Sequence, residues 1–125
     1  MVTYLESSGL LKTQRIIRAM NQVDRACFTT NRPHSFEDSP QPIGWNATIS
    51  APSIHAICLE MLGPRLQPGC RVLDVGSGSG YLTAVLGLLV QPGGELVGTG
   101  PLPPGLCSPR YQASDCREGR WCRAH

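Results

Sequence analysis

The sequence predicts an α/β fold organised around one parallel β-α-β unit. Three observations carry this. Val72-Leu73-Asp74-Val75 is a short apolar run of strand character that enters the glycine turn Gly76-Ser77-Gly78-Ser79-Gly80. That turn opens a helix from Tyr81 to Val90. Gln91-Pro92-Gly93-Gly94 then turns the chain into a second short strand, Glu95–Gly98. Residues 71–98 therefore read strand, helix, strand, with a connection long enough to make the two strands parallel.

The chain of 125 residues has room for one small domain. A doubly wound sheet covered on both faces usually takes more chain than this. A hydrophobic content of 41% is that of a globular protein, not a disordered one. The net charge of +2 excludes the strong basic field of a nucleic-acid or membrane-surface binder. Neither nucleic acid nor a membrane is expected as a partner, and a monomer is expected. No apolar run approaches the ~20 residues of a membrane span. Met1-Val2-Thr3-Tyr4-Leu5-Glu6 lacks the basic and apolar regions of a signal peptide. A cytoplasmic location is the expectation, and with it six cysteines in the reduced state.

The elements ahead of the β-α-β unit follow from local signals. A short helix is expected around Thr3–Ser8, stopped by Gly9 in a left-handed C-terminal position. Thr13 is suited to cap the next helix, on which Ile16, Ile17, Met20 and Val23 form one apolar face. Residues 28–50 form a long segment of turn formers, notably Asp38-Ser39-Pro40 and Pro42-Ile43-Gly44. Pro52 suits the first turn of a further helix that Gly63-Pro64 ends. Ile54, Ile57, Cys58, Met61 and Leu62 recur on it at helical spacing and are expected to face the core. Gln67-Pro68-Gly69 then turns the chain into the strand Arg71–Val75.

The chain changes character near residue 100, which divides it into 1–100 and a tail, 101–125. Pro101, Pro103 and Pro104 break any element at the entry to the tail, and no apolar period follows them. The tail is expected to be disordered.

The glycine turn does chemistry by having little side chain. Glycines permit the tight turn and let a ligand approach the backbone, while the helix start favours polar or anionic groups. Asp74, at the strand end, is suited to order the loop by accepting amide hydrogen bonds. The spacing is G-x-G-x-G, not the G-x-G-x-x-G of dinucleotide enzymes, and a plain strand-to-helix turn is the alternative. Upstream, Ala47-Thr48-Ile49-Ser50-Ala51-Pro52 is a polar loop ending at a proline-started helix. With the glycine turn it points to a small-molecule methyl-transfer site.

Residues 1–98 resemble the N-terminal part of the protein-L-isoaspartate O-methyltransferase family. The resemblance rests on Gly9-Leu10-Leu11-Lys12-Thr13, Val23-Asp24-Arg25, Asp38-Ser39-Pro40-Gln41-Pro42-Ile43-Gly44, Ala47–Pro52, His55 and Leu73–Ala84. Pro42–Pro52 is more specific to the family than the glycine turn, which many methyltransferases share. The resemblance implies the N-terminal half of a Rossmann-like S-adenosylmethionine-dependent methyltransferase fold. It implies methylation, from S-adenosylmethionine, of the misplaced carboxylate of isoaspartyl residues in damaged peptides and proteins, a repair reaction. Ser50 matches the position assigned as catalytic, with Thr48 and Ile49 beside it. Ala47, Thr48, Ile49, Ser50, His55, Asp74, Gly76, Ser77, Gly78 and Gly80 match cofactor-contacting positions. No metal is implied.

Two departures bear on activity. In the family the second strand ends with an acidic residue that holds the ribose hydroxyls of the cofactor; aligned on Glu95–Gly98, that position is Gly100. The later strands, the adenine loop and the C-terminal substrate region have no counterpart in this chain. A weak or inactive enzyme is expected, or a non-catalytic binding fragment. Leu82, Val85, Leu86, Leu88, Leu89 and Val90 are expected to lose packing partners with the absent half. A remaining alternative is a zinc-dependent RNA-binding tail. Cys107, Cys116, Cys122 and His125 have nearly the spacing of a zinc finger, against free thiols as the plain reading. Ser50 and His55 also have plain readings, as a helix cap before Pro52 and as a packed polar residue.

Overall fold

The computed structural model describes residues 1–100, so the tail and its cysteine spacing lie outside the described residues. Within residues 1–100, four helices, two short 3-10 turns and two two-stranded sheets follow in chain order: α1 (Val2–Ser7), α2 (Gln14–Gln22), the turns Arg25–Phe28 and Arg32–His34, β1 (Gln41–Gly44), β2 (Ala47–Ile49), α3 (Pro52–Leu62), β3 (Arg71–Val75), α4 (Tyr81–Leu89) and β4 (Glu95–Thr99). β3 and β4 pair in parallel, in register from Arg71 opposite Glu95 to Val75 opposite Thr99, as the β-α-β reading requires.

Gly9 stops α1, in agreement with the sequence. It has φ +74°, its N–H donates to the Glu6 carbonyl and the Leu10 N–H donates to the Leu5 carbonyl. These paired bonds satisfy the orphan carbonyls of the last turn. α2 begins after Thr13, and Ile16, Ile17, Met20 and Val23 are all buried, as their spacing predicts. The Thr13 side chain does not close back on its own helix. Instead Glu60 of α3 accepts the N–H groups of Lys12 and Thr13 at 2.7 and 2.8 Å and the Thr13 hydroxyl at 2.7 Å.

Three expectations are corrected. The segment 28–50, read from its sequence as turn formers alone, contains regular structure: β1 and β2 form an antiparallel hairpin. Trp45 and Asn46 at its tip both adopt positive φ, +56° and +54°, which a two-residue hairpin turn requires. The core face of α3 is also reversed. Pro52, His55, Ala56 and Leu59 are buried, whereas Ile54, Ile57, Met61 and Leu62 are exposed. Both stripes have helical spacing, so periodicity alone does not choose between them. The third concerns α4. Val85, Leu86, Leu89 and Val90 are buried against α2 and β4, with Leu82 and Leu88 packed partly against the same core. Uncovered apolar surface falls on the sheet instead, where Leu73, Val75 and Val97 are 63%, 76% and 44% exposed on one face. Alternation along a strand explains this, because Val72 and Leu96 point the other way, towards α4.

Cys58 and Cys70 are free thiols. No helix among the described residues is long and apolar enough to cross a membrane.

Candidate functional site

Two walls face each other across a cleft. The first is the stretch from β2 into α3. Pro52 occupies the first turn of α3, where a missing N–H costs nothing. The residue before the helix is Ala51, which offers no side-chain cap. Asp38 supplies that function from upstream, its Oδ1 accepting the Ser53 N–H at 2.8 Å. Ser50 is therefore not the helix cap. Its side chain is exposed at the cleft, while its carbonyl accepts a hydrogen bond from Arg25 Nη2 at 2.7 Å.

Arg25 lies directly behind this wall and is fully buried. Its Nε donates to the Ser35 carbonyl at 2.7 Å, and its Nη1 lies 3.3 Å from His55 Nδ1. Its guanidinium sits 5.4 Å from the centre of the Tyr81 ring. The Tyr81 ring is in turn 5.0 Å from the His55 ring and takes the edge of Phe28 at 5.7 Å. Burial, and then the Arg25 charge, push the His55 imidazole down from 6.5 to about 4, so it is neutral at pH 7. Burial also pushes the Tyr81 phenol up to about 12.

The second wall is the C-terminal end of β3, the glycine loop and the start of α4. Gly76, Gly78 and Gly80 have φ of +84°, +54° and +88°, conformations that side-chain-bearing residues seldom adopt. The expected role of Asp74 is corrected here. The N–H groups of Gly76 and Ser77 donate to the Thr99 carbonyl, at 2.6 and 3.0 Å. Asp74 Oδ2 instead accepts the Thr83 hydroxyl at 2.5 Å, because the alternation of β3 turns Asp74 towards α4. Gly98 has a packing reason: a Cβ there would stand 3.2 Å from both Ser77 Cβ and Thr83 Cγ2.

The cleft between the walls measures about 220 Å³. It brings together Thr48, Ile49, Ser50 and His55 from the first wall with Asp74, Gly76, Ser77 and Gly78 from the second. Ala47 and Gly80 do not line it: Ala47 is exposed at the hairpin tip end of β2, and Gly80 is buried at the start of α4. Ile54, Cys58, Val75, Ser79, Tyr81 and Leu82 line it as well. Ile54 and Cys58 carry a sequence signal, an i, i+4 pair next to His55, but the same spacing also reads as core. Among the described residues no group of His, Cys, Asp and Glu could hold a metal ion.

The model of the protein-L-isoaspartate(D-aspartate) O-methyltransferase family matches residues 1–105. The chain belongs to this family. A protein-L-isoaspartate O-methyltransferase of Triticum aestivum is 50% identical over 103 residues, covering 82% of this chain and 45% of that protein. Protein-L-isoaspartate O-methyltransferase 1 of Arabidopsis thaliana is 47% identical over 108 residues, 86% of this chain and 47% of the relative. Among solved structures, a putative family member from Plasmodium falciparum in complex with S-adenosyl-L-homocysteine superposes with a TM-score of 0.72 at 34% identity, covering 78% of this chain and 45% of that one. The fold is thus that of the N-terminal part of a methyltransferase of this family. The chain spans about half the length of the curated relatives it matches. The bare face of the β3–β4 sheet fits that share, since a parallel sheet is ordinarily covered on both faces.

Proposed function

We propose that the cleft binds S-adenosylmethionine and presents the carboxylate of an isoaspartyl residue, in a peptide or protein, at Ser50. One observation carries the reading: the hairpin-to-α3 stretch that marks the family lies across a single cleft from the glycine loop. The residues fit a nucleoside cofactor in part. A cleft of about 220 Å³ falls below the ~300–1,000 Å³ of sites that enclose a whole ligand. It has room for a portion of the cofactor, with Gly76, Ser77 and Gly78 giving close backbone approach and His55 and Asp74 giving polar contacts.

The cofactor supplies an electrophilic methyl group on a sulfonium. The acceptor carboxylate is already ionised at neutral pH, with a pKa of ~4, so no general base is needed for its attack. The site agrees, since its histidine is held neutral and far from a pKa near 7. What the chain must supply is alignment, and aligned reactants account for a large part of such accelerations. Ser50 suits this role, because its hydroxyl is free of helix capping and its backbone is fixed from behind. With Gly100 in place of an acidic ribose anchor, binding is weaker than in full-length relatives and turnover is low or absent.

Calorimetric titration of the chain with S-adenosylhomocysteine tests the cofactor half of the reading. Weak saturable binding is expected, and no binding at any accessible concentration sinks it. In a chimera carrying the C-terminal half of a full-length relative, Ser50→Ala should lower methyl transfer to an isoaspartyl peptide about tenfold or more and leave cofactor affinity nearly unchanged. Equal losses in both would make Ser50 a cofactor or structural residue.

A further inference from the structure

Arg25 is the largest fully buried side chain among the described residues. In the sequence Arg25 is marked only by the family resemblance of Val23-Asp24-Arg25. A buried guanidinium is costly to desolvate, and no carboxylate lies within ion-pair distance of it among the described residues. A hydrocarbon of similar volume would fill the space without that cost. What a hydrocarbon cannot do is donate in three directions at once. Arg25 reaches Ser35 beyond the second 3-10 turn, Ser50 between β2 and α3, and His55 on α3.

The chemistry of the third contact is one-sided. A guanidinium has only donors, so His55 Nδ1 must accept through its lone pair. The neutral ring then carries its proton on Nε2. We propose that Arg25 is the positioning residue of this site: it fixes His55 as the Nε2–H tautomer and pins the Ser50 carbonyl, so that both residues meet the cleft in one arrangement. The functional consequence rests on the methyl-transfer reading of the cleft; the tautomer and the pinned carbonyl rest on hydrogen bonding alone. The other ionisable groups around His55 are the Tyr81 phenol packed on its ring and Asp74 on the opposite wall of the cleft. The held charge of Arg25 adds to burial in keeping His55 neutral.

Histidine-labelled nitrogen NMR of the full chain reads the tautomer directly, with His55→Asn assigning the signal. The parent chain should show the Nε2–H form, titrating at about 4. Arg25→Lys keeps a cation but not the three-way fork, and should give a mixture of tautomers and about a tenfold loss of S-adenosylhomocysteine affinity. Arg25→Met should show the mixture too, with the His55 pKa moved up. Leu5→Ala, which loosens the core away from the cleft, should leave the tautomer unchanged. The Nδ1–H form in the parent chain overturns the inference, as does an unchanged Nε2–H signal in Arg25→Lys. If Arg25→Met does not fold, the lysine variant decides. If the parent chain binds no S-adenosylhomocysteine, the methyl-transfer reading fails while the tautomer measurement still decides the role of Arg25.

Discussion

The two walls of the cleft are held by different physics. The hairpin and α3 are positioned by polar side chains reaching from other segments: Arg25 behind Ser50 and His55, Asp38 at the start of α3, Glu60 across to the α1–α2 connection. The glycine-loop wall is held mainly by backbone and by the absence of side chains, with the Asp74–Thr83 hydrogen bond as a side-chain tie. The Thr99 carbonyl takes two loop amides, and Gly98 leaves room for Ser77 and Thr83. The first wall should therefore respond to pH and to changes in polar groups, and the second to added methyl groups. A parallel β-α-β unit can be assembled from local rules, whereas the loop between β2 and α3 is pinned from several directions at once.

The largest expected effect separates the walls by pH. His55 has a folded pKa of about 4 against an ordinary 6.5. Below pH 6.5 the unfolded chain takes up a proton that the folded chain refuses, so stability falls as pH drops from 6.5 towards 4. A shift of that size corresponds to about 3 kcal/mol between neutral pH and pH 4. Glu60 works in the same direction at lower pH. Burial raises its carboxyl, but hydrogen bonds from Lys12 and Thr13 outweigh this and hold it below its ordinary value. Its contribution is lost as pH falls through that depressed value. Denaturant unfolding at a series of pH values should show the decline, and His55→Asn should flatten it between pH 6.5 and 4. A slope unchanged in that variant would remove His55 as the cause.

The glycine-held unit should break under an added methyl group. A Cβ on Gly94 would stand 2.6 Å from Val90 Cβ and Cγ2 and against the Val90 carbonyl, where the chain turns from α4 into β4. Backbone cannot move aside as a flexible side chain does. Gly94→Ala should cost about 1–3 kcal/mol, and each kcal/mol lowers the melting temperature of a domain this size by roughly 4–8 °C. The loss should be the same at pH 7 and pH 5, which distinguishes it from the His55 effect. A melting temperature equal to that of the parent chain would mean that the turn re-forms around the methyl group.

The same contrast explains what is legible in the sequence. The β-α-β unit reads almost to the residue, because Val72–Gly80 and Gln91–Gly94 carry their signals locally. The hairpin escapes such a reading because its turn is Trp45-Asn46, with no glycine at either central position. α3 is legible as a helix but not as to its face. Its large apolar residues form the exposed stripe, while a smaller one containing His55 and Ala56 is buried. A histidine reads as polar until the buried Arg25 beside it is known, and nothing local links residue 25 to residue 55. The cleft residues of the glycine turn are legible as a motif. The partners of their amides are not, because Thr99 reaches them only through sheet register.

The smallest expected effect tests whether the glycine-loop wall can be given a further polar contact. Gly100 follows β4 directly, and a Cβ there would lie 3.4 Å from Gly76 Cα and 3.5 Å from the Ser77 nitrogen, ordinary contact distances. A side chain at this position therefore reaches the rim of the loop without a clash. Gly100 has φ +155°, so a residue with a Cβ meets backbone strain, of order 1–2 kcal/mol. That strain is present in the free and the bound chain alike, so it lowers stability and not affinity. A solvent-exposed acceptor at the rim of the loop contributes about 1 kcal/mol to binding, roughly a fivefold tightening. Gly100→Glu should accordingly bind S-adenosylhomocysteine about fivefold more tightly than the parent chain in calorimetry, and Gly100→Gln should gain less. Gly100→Ala carries the strain without the acceptor and should bind no more tightly than the parent. Equal affinities in the glutamate and alanine variants would place the ribose away from the end of β4.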